Sequence, residues 1–300
     1  MATSAIPPPP SRLGYGCSGV WAERYFSEKK AINLVRTAID VGVRVFDTAG
    51  FYADGEAERR LGVALKGVEP EQVVISTKTG TRQGRAGRKV KDFSAAAIRE
   101  DIDASRFRLG RDNLDILLLH GPSPTDIASC LETLQTVKEE GKVRAIGVCG
   151  AGPELSAAVE TGCFDVLMCA YNVIDRTRGS VIANAKAAGM TVMGIAPLAQ
   201  GLYNKNLFAP RTLADVWYLA RALAKNRPAL AAARRLTALH DTPGWAAAEL
   251  ALAYTLSNGH IDCAMTTTSR PAHIRANAAV LEREPPARAL AALDAAGRRA

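Results

Sequence analysis

The chain is predicted to be an α/β protein in which eight strand–helix units close into a single parallel barrel, a (β/α)8 TIM barrel, and three observations carry that expectation. Helix-like segments end at Gly42, Gly141, Gly189 and Gly259, each followed at once by a short β-branched run. A left-handed residue closing a helix before a strand gives that phrase. The apolar runs also lack period-two alternation, which suits strands covered on both faces. Finally, 300 residues exceed the roughly 250 of a typical barrel by about one insertion.

In order, the expected strands are Leu13–Cys17, Val43–Asp47, Val73–Lys78, Asp115–His120, Lys142–Val148, Val166–Ala170, Met190–Ile195 and His260–Met265. Amphipathic spacing places helices at Glu28–Asp40, Glu56–Lys66, Ser94–Leu109, Ile127–Glu140, Glu154–Thr161, Thr177–Ala188, Pro243–Ser257 and Pro271–Leu281. The excess falls in a loop with an extra helix at Gly201–Arg227, after the seventh strand, and in an Ala-rich helix near Pro285–Ala300. Residues 1–12, with Pro7 to Pro10, read as a flexible arm rather than a secretory signal, and 13–300 as one domain. A doubly wound sheet is the runner-up. It rests on Gly147-Val-Cys-Gly150-Ala-Gly152, whose glycines miss the dinucleotide-binding order.

Composition narrows the partners. With 48% hydrophobic and 23% charged residues the chain is globular, and no apolar run approaches the roughly 18 residues of a membrane span. The net charge of +8 is concentrated at Lys78, Arg82, Arg85, Arg88, Lys89 and Lys91, in a Gly-rich stretch that reads as a solvated loop. It lacks the interleaved aromatics and motif spacing of nucleic-acid readers, so no nucleic acid is expected, and the loop leans only toward an acidic or phosphorylated substrate. Cys17, Cys130, Cys149, Cys163, Cys169 and Cys263 show no metal spacing, so they are read as small buried hydrophobes in a reducing, cytoplasmic compartment, with no metal. The sequence leaves the oligomeric state open.

In a parallel barrel the C-terminal strand ends build the site, so polar residues that close apolar runs are the candidates. The second, third and fourth strands end in Asp47, Lys78 and His120, and Tyr52 lies in the loop after Asp47. A phenol has an ordinary pKa near 10, and an ammonium within about 4–6 Å favours its phenolate. Lys78 is that ammonium, Asp47 holds it charged, and His120 hydrogen-bonds a substrate oxygen or relays a proton. Together the four protonate a carbonyl, or deprotonate an alcohol in reverse.

These residues resemble those of the aldo-keto reductase superfamily. The likeness is carried by Leu13-Gly-Tyr-Gly-Cys-Ser-Gly19, Asp47-Thr-Ala-Gly-Phe-Tyr52-Ala-Asp-Gly-Glu56 with Leu61-Gly62, Ser76-Thr-Lys78, Leu117-Leu-Leu-His120, Ile146-Gly-Val148, Tyr171-Asn172, Pro197-Leu-Ala-Gln-Gly201-Leu, and Thr268-Ser-Arg270-Pro271 with Asn277. It runs from about Leu13 to Leu281. The resemblance implies an oxidoreductase that uses NADP(H) or NAD(H) without a Rossmann domain, moving a hydride between the cofactor and an aldehyde, ketone or sugar carbonyl or alcohol. Tyr52 is the implied acid/base.

On the cofactor side the resemblance implies contacts from Gly16, Cys17, Cys149, Gly150, Met168, Ile195, Ala196, Leu198, Gly201, Thr267, Thr268, Ser269, Arg270, His273 and Asn277. Several depart from the family pattern. Cys149-Gly150 replace a Ser-Asn pair, Met168 a Gln, Ile195 an aromatic, and Thr267 and His273 the Lys and Arg that many members place on a 2′-phosphate. Arg270 suits a phosphate or an adenine equally. Trp21 and Phe51 are the expected substrate walls, with Tyr25, Tyr203 and Trp217 behind them. Two other readings stand beside the oxidoreductase: a lyase or aldolase using Lys78 as a Schiff-base amine, and a nucleotide-binding regulatory subunit.

Overall fold

A computed structural model describes residues 9–84, 88–199 and 236–297. Among these residues, eight parallel strands close a barrel: β1 (Leu13–Gly16), β2 (Val45–Asp47), β3 (Val74–Thr79), β6 (Leu114–His120), β7 (Val143–Gly150), β8 (Val166–Ala170), β9 (Thr191–Ile195) and β10 (Cys263–Thr266). Closure runs β1-β10-β9-β8-β7-β6-β3-β2. The helices outside are α1 (Glu28–Asp40), α2 (Glu56–Ala64), α3 (Ala95–Leu109), α4 (Pro124–Glu139), α5 (Glu154–Thr161), α6 (Gly179–Ala187), α7 (Ala238–Asp241), α8 (Ala247–Ser257), α9 (Pro271–Ala279) and α10 (Ala287–Gly297).

Each strand buries two faces, which is why its sequence is continuously apolar. One face packs into a large cluster against the helices, with Phe46, Leu117, Ile146 and Leu167. The other fills the barrel with Val45, Ile116, Leu118, Ala145, Met168, Met193 and Met265. Such a barrel is a packed plug rather than a pore, so chemistry is confined to its C-terminal rim. The expected extra helix at Gly201–Arg227 lies outside the described residues.

Three expectations need correction. Gly42, Gly141 and Gly189 adopt positive φ, but Gly259 does not. There α8 ends on Asn258 in extended backbone, whose side chain accepts from the His260 N–H at 3.0 Å and makes the turn itself. The basic stretch after Lys78 is no plain loop: Thr81–Gln83 (β4) and Lys89–Lys91 (β5) pair as an antiparallel hairpin. Ser11 and Arg12, assigned to the arm, belong to the barrel floor. Ser11 Oγ accepts from Arg44 N at 2.9 Å, and Arg12 donates to the Leu256 carbonyl at 2.6 Å. Residues 1–8 lie outside the described residues.

Candidate active site at the barrel rim

Asp47, Lys78 and His120 come from three consecutive barrel strands and Tyr52 from the loop above β2. Lys78 Nζ donates to Asp47 Oδ1 at 2.6 Å, to Oδ2 at 2.7 Å and to the Thr48 carbonyl at 2.7 Å. Asp47 Oδ1 also accepts from Ser76 Oγ at 2.7 Å. Both partners are buried, so the pair is fixed in a low-dielectric setting. Burial is the strongest single influence on Lys78 and pulls its pKa down. Asp47, Tyr52 and Cys149 more than reverse it, and the amine stays charged.

Tyr52 reaches the pair because its loop is forced into an unusual path. Ala53, Asp54 and Gly55 all have positive φ before α2 begins. Only glycine adopts that conformation freely, so the first two residues store strain that the surroundings must hold. The surroundings do so through Arg108, whose Nε donates to the fully buried Glu58 at 2.6 Å and whose chain lies where a Cβ on Gly55 would fall, 2.7 Å from Cδ. Lys78 Nζ stands 5.1 Å from the centre of the Tyr52 ring. The expected downward shift of the phenol is nevertheless outweighed: burial raises its pKa more than Lys78 lowers it.

His120 packs edge-on against both rings of the Phe51-Tyr52 pair, 6.1 Å and 5.9 Å between centroids. Burial, then Lys78, Lys91 and Lys89, push its pKa down to about 3. It is therefore held as a neutral imidazole at neutral pH. Its Nδ1 is buried with no partner among the described residues. Thr48 Oγ1 beside Lys78, Arg178 Nε in the loop after β8, and Asn277 Nδ2 on α9 are in the same state. Buried polar atoms rarely stay unmatched, so His120 Nδ1, at the end of its barrel strand, is a place where a ligand's polar group fits.

The residues expected to hold a cofactor divide into two groups. Gly16, Cys149, Gly150 and Ile195 lie at strand ends, Ala196, Leu198, Thr267, Thr268, Ser269 and Arg270 in the loops above them, and His273 and Asn277 in α9. Thr267 sits against Gly16, where an added Cβ would lie 2.5 Å from its Oγ1. Tyr15 fixes the next residue by donating to the Thr268 carbonyl at 2.7 Å, and Thr268 Oγ1 accepts from the Arg270 N–H at 3.2 Å. The exposed Thr267, Ser269, Arg270 and His273 thus surround the start of α9, whose free N–H groups suit phosphate. With the orphaned Asn277, these donors fit the anionic end of a nicotinamide dinucleotide.

Cys17 and Met168 form the second group, and the structure corrects both: each is fully buried. Cys17 extends the β1–β2 pairing by donating its N–H to the Asp47 carbonyl at 2.7 Å. Met168 lies inside the barrel plug with Cys149 and Met193. Trp21 is also corrected from substrate wall to core residue, because it is only 1% exposed and its indole N–H is spent on the Ala31 carbonyl at 3.2 Å. Phe51 is half-buried and packs edge-on against His120, with Lys89 over its ring. Tyr25 is exposed on the loop after a 3-10 turn at Gly19–Trp21, and Gly201, Tyr203 and Trp217 lie outside the described residues.

Sequence reasoning missed Glu154, the first residue of α5. Its buried Oε1 accepts the N–H groups of Ala151 at 2.6 Å and Gly152 at 2.8 Å. A Cβ on Gly150 would lie 2.2 Å from that oxygen. The glycine in place of the family asparagine and the nearby glutamate are one arrangement. The available signal was an acidic residue opening a helix just beyond an unexpected glycine.

All six cysteines are free, and the described residues contain no His, Cys, Asp or Glu cluster that would hold a metal. No helix among them is long and apolar enough to cross a membrane. The sequence pattern of the Aldo/keto reductase family matches residues 12–298. L-galactose dehydrogenase of Arabidopsis thaliana is 30% identical over 290 residues, 91% of this chain and 85% of that protein. NADH-specific methylglyoxal reductase of Escherichia coli (strain K12) is 30% identical over 270 residues, 83% of this chain and 82% of its own. Among solved structures, the holo form of an aldo-keto reductase from Bacillus halodurans superposes with a TM-score of 0.79 at 25% identity, covering 96% of this chain and 93% of that one.

Proposed function

The chain belongs to the aldo/keto reductase family and is an NAD(P)-dependent oxidoreductase of small carbonyl compounds, and from that premise we propose that Tyr52 is its proton donor and acceptor. The buried Lys78–Asp47 pair beside Tyr52 and His120 carries this reading. The nicotinamide, when bound, supplies or takes up the hydride. Everything else falls to the protein.

In reduction, Tyr52 passes its hydroxyl proton to the substrate oxygen as negative charge grows there. The phenol is protonated at neutral pH at its ordinary value of about 10, and burial raises it further, while the Lys78 ammonium stabilises the phenolate that remains. Asp47 keeps that ammonium charged and aimed. Neutral His120 donates a hydrogen bond to the same substrate oxygen and orients it without delivering a proton. Thr267 to Arg270, His273 and Asn277 would hold the dinucleotide's phosphate end when it is bound, and Gly16, Cys149, Gly150, Ile195, Ala196 and Leu198 would line the path toward the reacting centre.

Arg270 is exposed and suits either NADP(H) or NAD(H). The Schiff-base alternative is disfavoured, since an amine held charged by a carboxylate at 2.6 Å is a poor nucleophile. Six unpaired cysteines support a reducing compartment such as the cytoplasm. The assignment is tested with Tyr52→Phe. It keeps NAD(P)H binding, read by cofactor fluorescence, and loses about 10²–10⁴-fold in turnover; parental turnover refutes it.

A further inference from the structure

The hairpin β4–β5 rises beside Lys78 and shows an alternation with a purpose. Lys89 and Lys91 occupy one face of β5. Val90 occupies the other, closing over Gly84, where an added Cβ would lie 2.4 Å from Val90 Cγ2. Lys91 rivets the ribbon to the end of β6, donating to Thr81 Oγ1 at 2.7 Å, to the Gly121 carbonyl at 3.0 Å and to the His120 carbonyl. That anchoring carries Lys89 Nζ to 5.0 Å from the centre of the Phe51 ring, the ring that packs on His120.

Two other cations of the region are already paired with carboxylates. Lys78 is spent on Asp47, and Arg82 on Glu100 and Asp101 at 3.0 and 2.9 Å. Among the described residues, Lys89 and Lys91 have no carboxylate partner. Their charges reach the site and each other: both lower His120, and burial together with Lys89 lowers Lys91. Two ammoniums without a carboxylate partner at the barrel mouth repel one another, and an anion beside Lys89, whose own N–H groups are not spent as those of Lys91 are, offsets the repulsion.

We propose that Lys89, backed by Lys91, is an anion-binding subsite at the pocket mouth, and that the carbonyl substrate carries a carboxylate or a phosphate. This rests on the reading that Tyr52 and His120 mark the reacting carbonyl. The Phe51 ring then lies beneath the stretch of substrate between carbonyl and anion.

The test compares kcat/KM of the cofactor-loaded enzyme for 4-carboxybenzaldehyde against methyl 4-formylbenzoate, and for glyceraldehyde 3-phosphate against glyceraldehyde. The first pair reports a carboxylate site and the second a phosphate site. The anionic member of at least one pair is preferred about tenfold at low salt, through KM, and the preference shrinks in about 0.5 M NaCl as charges are screened. Lys89→Ala reduces that ratio and Lys89→Glu inverts it. A ratio unchanged by Lys89→Glu and by salt overturns the subsite. Tyr52→Phe separates this from the assignment beneath it: if it turns over all four aldehydes like the parent while the ratio still follows Lys89, the acid is wrong and the subsite stands. Should none of the aldehydes react, calorimetry with benzoate and benzamide decides. Salt-sensitive binding of benzoate alone supports the subsite, and equal or absent binding of the two overturns it.

Discussion

Replacing Gly150 by the asparagine that the family pattern favours is predicted to damage this protein. Gly150 closes β7, and its φ lies outside the left-handed region, so the obstacle is volume rather than backbone. An added Cβ would lie 2.2 Å from Glu154 Oε1, 2.7 Å from Cγ and 2.8 Å from Cδ. Such a contact cannot be absorbed by small shifts, and the carboxylate must leave. It then gives up two bonds to the Ala151 and Gly152 N–H groups, each worth about 1.5–3 kcal/mol for a charged acceptor. Roughly half of that returns when the carboxylate meets water, and overpacking adds about 1–3 kcal/mol. The sum is about 4 kcal/mol. Urea unfolding followed by far-UV circular dichroism, on parent, Gly150→Asn, Glu154→Ala and the double variant, measures it. Glu154→Ala alone costs about 2 kcal/mol, from two buried donors left unmatched. In the double variant the asparagine enters vacated space, so the two losses fall short of additivity by about 2 kcal/mol. Additive losses, or a Gly150→Asn midpoint within about 1 kcal/mol of the parent, would refute the coupling.

Three further outcomes follow from the buried pair, the phenol and the imidazole. Lys78→Met leaves Asp47 buried without its cation, which costs about 3–5 kcal/mol in the same urea assay and removes most turnover; a parental midpoint would show that the pair contributes little. The pH dependence has a definite sign, because a phenol whose pKa is raised stays protonated until well into the alkaline range. Carbonyl reduction is therefore level across neutral pH and falls only above the ordinary phenol value of about 10, whereas alcohol oxidation climbs as pH rises toward it. With His120 held down to about 3, kcat/KM shows no limb near the usual imidazole value of about 6.5, and a limb there that vanished in His120→Asn would count against the neutral imidazole.

The strand–helix alternation was legible because helices closed by Gly42, Gly141 and Gly189 announce it, and β8, α1 and α5 have the very limits expected. It failed at Gly259, where the neighbouring Asn258 uses its own side chain to turn the chain. The β4–β5 hairpin was hidden because its strands are three residues each, charged and flanked by glycine, so no apolar pattern distinguishes them from loop. Asp47, Lys78 and His120 were visible as polar ends of apolar runs. Trp21 misled because a rim aromatic looks the same in sequence whether it lines a pocket or closes the core, and only its bond to Ala31 decides. Glu154 could not be assigned at all. Its meaning depends on the volume beside Gly150, which is a property of packing and not of order along the chain.

The balance of burial against charge was likewise beyond sequence, and it changes the chemistry of the site. Three ammoniums face the rim, and the one carboxylate among the four predicted groups, Asp47, is bonded to just one of them, Lys78. That bond makes Lys78 a fixed positive charge, and the same charge lowers both Tyr52 and His120. For the phenol, burial opposes the charge and wins, so the proton stays until the substrate oxygen asks for it. For the imidazole, burial and charge act together, so it never becomes a competing acid. Burial thus favours the neutral form of both rings, while Lys78 lowers both and so opposes burial at Tyr52 and reinforces it at His120, which supports the proposed division into a proton donor and a neutral hydrogen-bond donor. Removing Asp47 would instead cost the phenolate its stabilising cation, because Lys78, losing the partner that offsets its burial, would favour the uncharged amine.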